Sequence, residues 1–200
     1  IFHQNKLIGV VQITESVANI KNKLNNFTLK SKKSYSLNKK AMDNGTVYIF
    51  DDIIGGSEVM QNTISTAKRF AMQPLPVLIY GETGTGKELF AQSIHNASPF
   101  VRGPFVPINC AAIPETLLES ILFGTVKGAY TGAVNKEGLF EQAKSGTIFL
   151  DEINAMSMSL QPKLLRTLQE KEVRRIGDNK RIPINCRVIS AINKDPNKAI

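Results

Sequence analysis

Two hundred residues, 42% hydrophobic and 21% charged, suit one or two soluble globular domains and exclude a low-complexity chain. No apolar run approaches a membrane span, nothing at the start reads as a signal peptide, and Cys110 and Cys186 are too few for a disulfide framework or cysteine metal motif; the expectation is a cytoplasmic protein with no membrane partner. Of the formal net charge of +8, +6 falls in residues 1–46, where eight lysines face only Glu15 and Asp43, so the basic excess reads as a solvated linker and not as a nucleic-acid groove.

The chain opens on Ile1 and stops in mid-pattern at Ile200, as expected of a piece of a longer protein. Leu7-Ile8-Gly9-Val10-Val11-Gln12-Ile13 is a strand-like run, and Val17, Ile20, Leu24 and Phe27 follow at helical spacing. This resembles the last strand of a PAS-type sensory domain running into a signalling helix. Residues 1–20 are assigned to that end, 21–46 to helix and basic linker, and 47–200 to the main domain, which begins at Val47-Tyr48-Ile49-Phe50.

Strand and helix signals then alternate. Ser57 is placed to cap a helix with Val59, Met60, Ile64, Ala67 and Phe70 inward. Pro76-Val77-Leu78-Ile79-Tyr80 is a short buried strand, residues 88–97 a helix, 105–109 a strand and 115–123 a helix. Gly146-Thr147-Ile148-Phe149-Leu150 is another strand, Leu160, Leu164, Leu165 and Leu168 mark a further helix, and Arg187-Val188-Ile189-Ser190-Ala191 is a last strand. The alternation predicts an α/β fold: a parallel sheet with helices on both faces.

Two motifs carry chemistry. Gly81-Glu82-Thr83-Gly84-Thr85-Gly86-Lys87 matches the phosphate-loop pattern between a strand and a helix. Its glycines let N–H groups curl around phosphates at the positive end of the helix, and Lys87 supplies a point charge. Glu88 stands where a magnesium-binding Ser or Thr is usual. The second motif is Ala143-Lys144-Ser145-Gly146-Thr147-Ile148-Phe149-Leu150-Asp151-Glu152, in which apolar residues carry Asp151 and Glu152 to the carboxyl end of a buried strand. Asp151 is the expected Mg2+ residue and Glu152 the group that polarises attacking water, so the reading is an ATP hydrolase with ATP and Mg2+ as cofactors. Between the motifs lies Gly128-Ala129-Tyr130-Thr131-Gly132-Ala133, a small-residue loop with one aromatic and one hydroxyl.

From about residue 53 onward the chain resembles the AAA+ domain of bacterial enhancer-binding proteins, the activators of sigma-54 RNA polymerase. GETGTGKE, Pro107-Ile108-Asn109-Cys110-Ala111-Ala112-Ile113-Pro114, GAYTGA and GTIFLDEI fall in that family's order, and Glu88 after Lys87 is itself usual there. The resemblance implies an AAA+ P-loop core and a homo-oligomeric ring, expected as a hexamer. It implies that Gly128, Ala129, Tyr130, Thr131, Gly132 and Ala133 contact the sigma-54 RNA polymerase holoenzyme. Asn109 is implied as a switch residue pairing with Glu152, Arg181 and Arg187 as arginine fingers, and Asn193 as a sensor, with Ile192 in place of the usual Thr. Arg166 is implied in transmission between subunits, and Ile53, Ile54 and Gly55 as the border of the adenine. Tyr130 replaces the commoner Phe, and Thr125 and Val126 replace the usual His and Glu. GTVKGA is similar to the arginine-utilisation-regulator subset, which also carries PAS-type sensors. A helical lid and a helix-turn-helix domain, through which alone DNA would be bound, are expected beyond Ile200. The alternative is a AAA+ remodelling ATPase with another protein client.

Overall fold

The computed structural model describes residues 2–3, 6–7, 10–13 and 44–195. Its central sheet is five-stranded and all parallel: β3 (Val10–Ile13), β4 (Val77–Gly81), β11 (Arg187–Ile192), β8 (Thr147–Asp151) and β5 (Phe105–Asn109), in that spatial order. The remaining strands form two-residue antiparallel ladders: β1 (Phe2–His3) with β2 (Lys6–Leu7), β6 (Gly124–Thr125) with β7 (Lys136–Glu137), and β9 (Glu172–Val173) with β10 (Ile182–Pro183). The helices are α1 (Glu58–Ala71), α2 (Lys87–Asn96), α3 (Glu115–Phe123), α4 (Leu139–Gln142) and α5 (Gln161–Glu170). The expected α/β architecture is the one observed.

The pleat of the buried strands divides the core. Along β8, Phe149 joins a cluster with Ile79, Ile189, Ile64 and Ala67 of α1, and Phe90 and Ile94 of α2. Its neighbours Ile148 and Leu150 join Leu118 and Leu122 of α3, Phe140 of α4 and Leu164 of α5. Period-two alternation therefore puts α1 and α2 on one face and α3 to α5 on the other. The Ser57 side chain accepts from the Met60 N–H and caps α1 as expected. One inward assignment is corrected: Val59 is 59% exposed, because it falls one position off its helix's apolar stripe.

The domain begins earlier than the linker composition indicated. Asn44 and Thr46 are buried, and the Asn44 Nδ2 donates to His95 Nε2, Asn96 Oδ1 and the Val101 carbonyl. Val10–Ile13 hydrogen-bonds in parallel to β4, which places that strand at the edge of this sheet and not in a separate one. The residues expected to form the signalling helix, Val17, Ile20, Leu24 and Phe27, lie outside the described residues. Among the described residues, no helix is long and apolar enough to cross a membrane.

His95 is fully buried at the end of α2, with Nε2 facing the Asn44 amide, Nδ1 2.8 Å from Thr147 Oγ1, and its ring 5.5 Å from that of Phe105. Because an Asn Nδ2 can only donate, Nε2 is an acceptor and the imidazole is neutral, its proton on Nδ1. Burial, and then the nearby Arg187 charge, lower its pKa to about 4. Between about pH 6.5 and about pH 4 the unfolded chain holds a proton here that the folded chain does not. Stability from this site is therefore complete above about pH 6.5 and falls by about 1.4 kcal/mol per unit as pH drops through that window. Urea unfolding at about pH 7 and about pH 5 measures the effect, and His95→Gln is expected to flatten the difference. An unchanged pH slope in His95→Gln would remove this histidine as its source.

Candidate active site

Strand register brings the predicted chemistry to one edge of the sheet. Ile192 is opposite Tyr80, Ser190 opposite Leu150, and Asn109 opposite Asp151, so the carboxyl ends of β4, β11, β8 and β5 are level. Gly81, Asn193, Asp151 and Asn109 lie at those ends, the edge at which open α/β sheets bind ligands.

Residues 82–86 form the turn between β4 and α2. Gly84 and Gly86 have φ of 80° and 87°, and a Cβ on either would meet nothing within 4 Å. Their requirement is thus for left-handed backbone, not for space. Thr85 closes the turn by donating both its N–H and its hydroxyl to the Glu82 carbonyl, at 3.3 and 2.7 Å. Lys87 opens α2 and is 7% exposed; its Nζ donates to the Gly81 and Glu82 carbonyls at 3.0 and 2.9 Å. The ammonium is held at the mouth of the loop by carbonyls that an incoming phosphate oxygen can replace.

Across the edge, the Asp151 carboxylate accepts from the Glu152 N–H at 2.9 Å. Glu152 sits at φ 50°, ψ 44°, a left-handed conformation costing a residue with a side chain roughly 1 kcal/mol. The Asn109 Oδ1 accepts from the Ala111 and Ala112 N–H groups at 2.8 and 3.2 Å, and no hydrogen bond joins it to Glu152. The expected switch pair is therefore side by side but not engaged in this structure. Asn193 accepts at Oδ1 from Asn154, which lies in the single 3-10 turn after Glu152 (Ile153–Ala155). Burial first, then Asp151 and Glu152, push the Cys110 thiol up to about 11, and burial does the same for Cys186, so neither is a thiolate nucleophile.

The remainder of the second motif is placed elsewhere. Ala143, Lys144, Ser145 and Gly146 stand at the amino end of β8, and a five-residue strand at ~3.3 Å per residue separates them from the site by about 16 Å. Thr147 binds His95, while Ile148, Phe149 and Leu150 are core. A Cβ on Gly146 would come 2.0 Å from the Pro104 carbonyl oxygen, so that glycine permits close backbone approach. Only Asp151 and Glu152 of the ten reach the site.

Arg187 is also corrected. It is 3% exposed at the amino end of β11, and its guanidinium donates to the carbonyls of Phe70, Ala71 and Leu75 at 2.6, 2.9 and 3.1 Å. Burial lowers its pKa to about 10, which leaves it charged at neutral pH. It ties β11 to the C-terminus of α1. Arg181 is exposed, 3.6 Å from Glu172, and Arg166 pairs along its helix with Glu170 at 2.8 Å.

The 128–133 loop caps the β6–β7 hairpin. Gly128 and Gly132 have φ of 90° and 85°, Tyr130 is 51% exposed, and Ala133 is buried. The stem is closed by the Thr125 hydroxyl on the Val134 carbonyl at 2.7 Å and by the Lys127 N–H on Asn135 Oδ1 at 2.8 Å. Two side-chain pairings brace the surrounding helices. Arg175 makes a two-pronged pair with Glu141 at 2.8 and 2.6 Å, and the Ser157 and Ser159 hydroxyls both donate to Glu115 at the start of α3. Neither partner set was legible in the motifs, because the partners are 34 to 44 residues apart.

The donor set fits a magnesium nucleotide. Mg2+ is usually held by one or two carboxylates together with substrate phosphates, and Asp151 provides such a carboxylate opposite the phosphate loop. Among the described residues there is no group of three or more His, Cys, Asp or Glu that could hold a metal unaided.

A family model described as the Sigma-54 interaction domain matches residues 53–200. The chain is similar to the transcriptional activator RocR of Bacillus subtilis (strain 168), with 50% identity over 200 residues, all of this chain and 41% of that protein. It is similar to the transcriptional regulatory protein GlrR of Escherichia coli (strain K12), with 54% identity over 149 residues, 74% of this chain and 34% of that one. The chain thus spans less than half the length of these curated relatives. Among solved structures, NtrX from Brucella abortus matches with a TM-score of 0.67 at 35% identity, over 73% of this chain and 32% of NtrX. NtrX in complex with ATP matches with a TM-score of 0.67 at 34% identity, over 74% and 31%.

Proposed function

The chain belongs to the sigma-54 interaction domain family, with the AAA+ P-loop fold of sigma-54-dependent transcriptional activators, and from that premise we propose that it hydrolyses ATP to remodel sigma-54 RNA polymerase through the 128–133 loop. The observation that carries this reading is the placement of an exposed aromatic loop on a hairpin inserted between the helix leaving Asn109 and the strand ending in Asp151 and Glu152.

ATP phosphates enter at the turn of residues 82–86, where Lys87 exchanges the Gly81 and Glu82 carbonyls for phosphate oxygens and the turn's N–H groups face them. Asp151 would hold Mg2+, which neutralises charge on the phosphates when bound. Glu152, rigidly directed by its left-handed backbone, orients and polarises the attacking water. Asn109 reaches Glu152 when its amide leaves the turn at Ala111 and Ala112, and that release loosens the start of α3. The helix then shifts the hairpin and raises Tyr130 toward the polymerase.

A homo-oligomeric ring, with a hexamer as the expected form, completes the site from a neighbouring subunit. Arg181, exposed and only loosely paired, remains the available guanidinium for that role. DNA recognition in the whole protein would fall to a separate helix-turn-helix domain.

Tyr130→Ala is expected to weaken nucleotide-dependent capture of sigma-54 by at least about tenfold, since an aromatic anchor commonly carries such a share of binding. ATP turnover should hold while Tyr130→Phe retains capture. Equal capture by Tyr130→Ala and the parent chain would sink the loop's assignment.

A further inference from the structure

One buried amide joins the segment leading into the domain to the phosphate-loop helix. Gln92 of α2 is 5% exposed, and its Oε1 accepts from the Val47 and Tyr48 N–H groups at 2.9 and 3.2 Å. Its Nε2 donates to Glu88 Oε1 at 3.0 Å. Further along the helix, Asn96 Nδ2 donates to the Tyr48 carbonyl at 2.7 Å. An amide whose oxygen faces two N–H donors must turn its NH2 toward an acceptor, and the Glu88 carboxylate is that acceptor. Glu88 therefore completes the hydrogen bonding of the Gln92 amide and reinforces the orientation that the two N–H donors set.

This accounts for a carboxylate where a phosphate loop usually carries a hydroxyl. Glu88 is turned along its own helix toward a residue four positions on, not across the loop. Beyond the two anchored N–H groups the segment makes one 3-10 turn, Phe50–Asp52, closed by the Ile49 N–H on Asp52 Oδ2 at 2.9 Å. It then delivers Ile53 against the core cluster that contains Phe90 and Ala91 of α2. Ile54 follows with 54% of its surface exposed.

We propose that Gln92, oriented by Glu88, is a positioning residue that locks residues 47–53 onto the phosphate-loop helix, so that the segment carrying Ile53 and Ile54, which the family resemblance implies borders the adenine, and the loop offered to the phosphates form one body. This rests on the nucleotide reading above and on that implied adenine border. The phosphate loop is closed by its own turn, so it does not need the lock; the segment at Ile53 and Ile54 does.

The test uses the full chain and three variants, Gln92→Leu, Glu88→Ala and Glu88→Gln. Binding of ATP and of inorganic tripolyphosphate, each with magnesium, is measured beside amide hydrogen exchange of the nucleotide-free protein. Gln92→Leu and Glu88→Ala are expected to weaken ATP about tenfold, and to weaken it at least about fivefold more than tripolyphosphate. The Val47 and Tyr48 amides should exchange about tenfold faster in both. Glu88→Gln, which keeps an acceptor oxygen, should recover most of the loss. Equal losses for the two ligands, or unchanged exchange at Val47 and Tyr48 in Glu88→Ala, would overturn the lock. A parent chain that binds neither ligand would overturn the nucleotide reading instead, and the exchange data would still decide the lock.

Discussion

Glu152→Gln is expected to lower ATP turnover by about 10²- to 10⁴-fold while leaving ATP affinity within about threefold. The amide has the carboxylate's size and tolerates the same backbone, but it cannot polarise water or take its proton. Binding survives because the phosphate contacts come from the other side of the edge, at Lys87 and residues 82–86. Steady-state phosphate release, paired with a nucleotide titration, separates the two. Turnover near that of the parent chain would remove Glu152 from the chemistry. Loss of binding and turnover together would mean that its left-handed backbone matters more than its carboxylate.

Arg187→Met is expected to destabilise the fold by about 3 kcal/mol, because hydrogen bonds to a charged donor contribute ~1.5–3 kcal/mol each and are not additive. Its three acceptors, the carbonyls of Phe70, Ala71 and Leu75, lie at and just past the end of α1, where helical carbonyls run short of partners. Methionine fills the volume but leaves the Ala71 carbonyl unsatisfied in a buried place, while the Phe70 carbonyl keeps the Gln73 N–H. Arg187→Lys should be intermediate, since one ammonium cannot span three carbonyls. Urea unfolding reads both. A variant with the parent's stability and lost turnover would favour the arginine-finger role over the structural one.

Short apolar runs were enough to locate the four central-sheet strands within residues 77–192, and Ser57 announced its helix. The turn at residues 82–86 and the place of Asp151 and Glu152 at a strand end were equally legible, because each is local: its backbone requirement sits in one stretch of chain. What stayed hidden depends on partners distant in sequence. Asn44 and Thr46 have linker-like composition, and their partners His95, Asn96 and Val101, some fifty residues on, show why they are buried. Arg187 sits in a strand pattern that says nothing of the helix end 112 to 117 residues earlier. The hairpin strands β6 and β7 have two residues each, too few for any alternation to appear. In Gly146 the motif was correct but its purpose was not, since close backbone approach to Pro104 leaves no mark in sequence.

The central claim is that the nucleotide state at Lys87, Asp151 and Glu152 controls what the Tyr130 loop holds. Capture of purified sigma-54 by the chain, compared without nucleotide, with ADP, and with ADP plus a transition-state phosphate mimic, tests it most directly. A complex is expected with the mimic alone, at least about tenfold above the other two conditions. No complex in any state while ATP turnover is intact, or equal complex in all three, would contradict it.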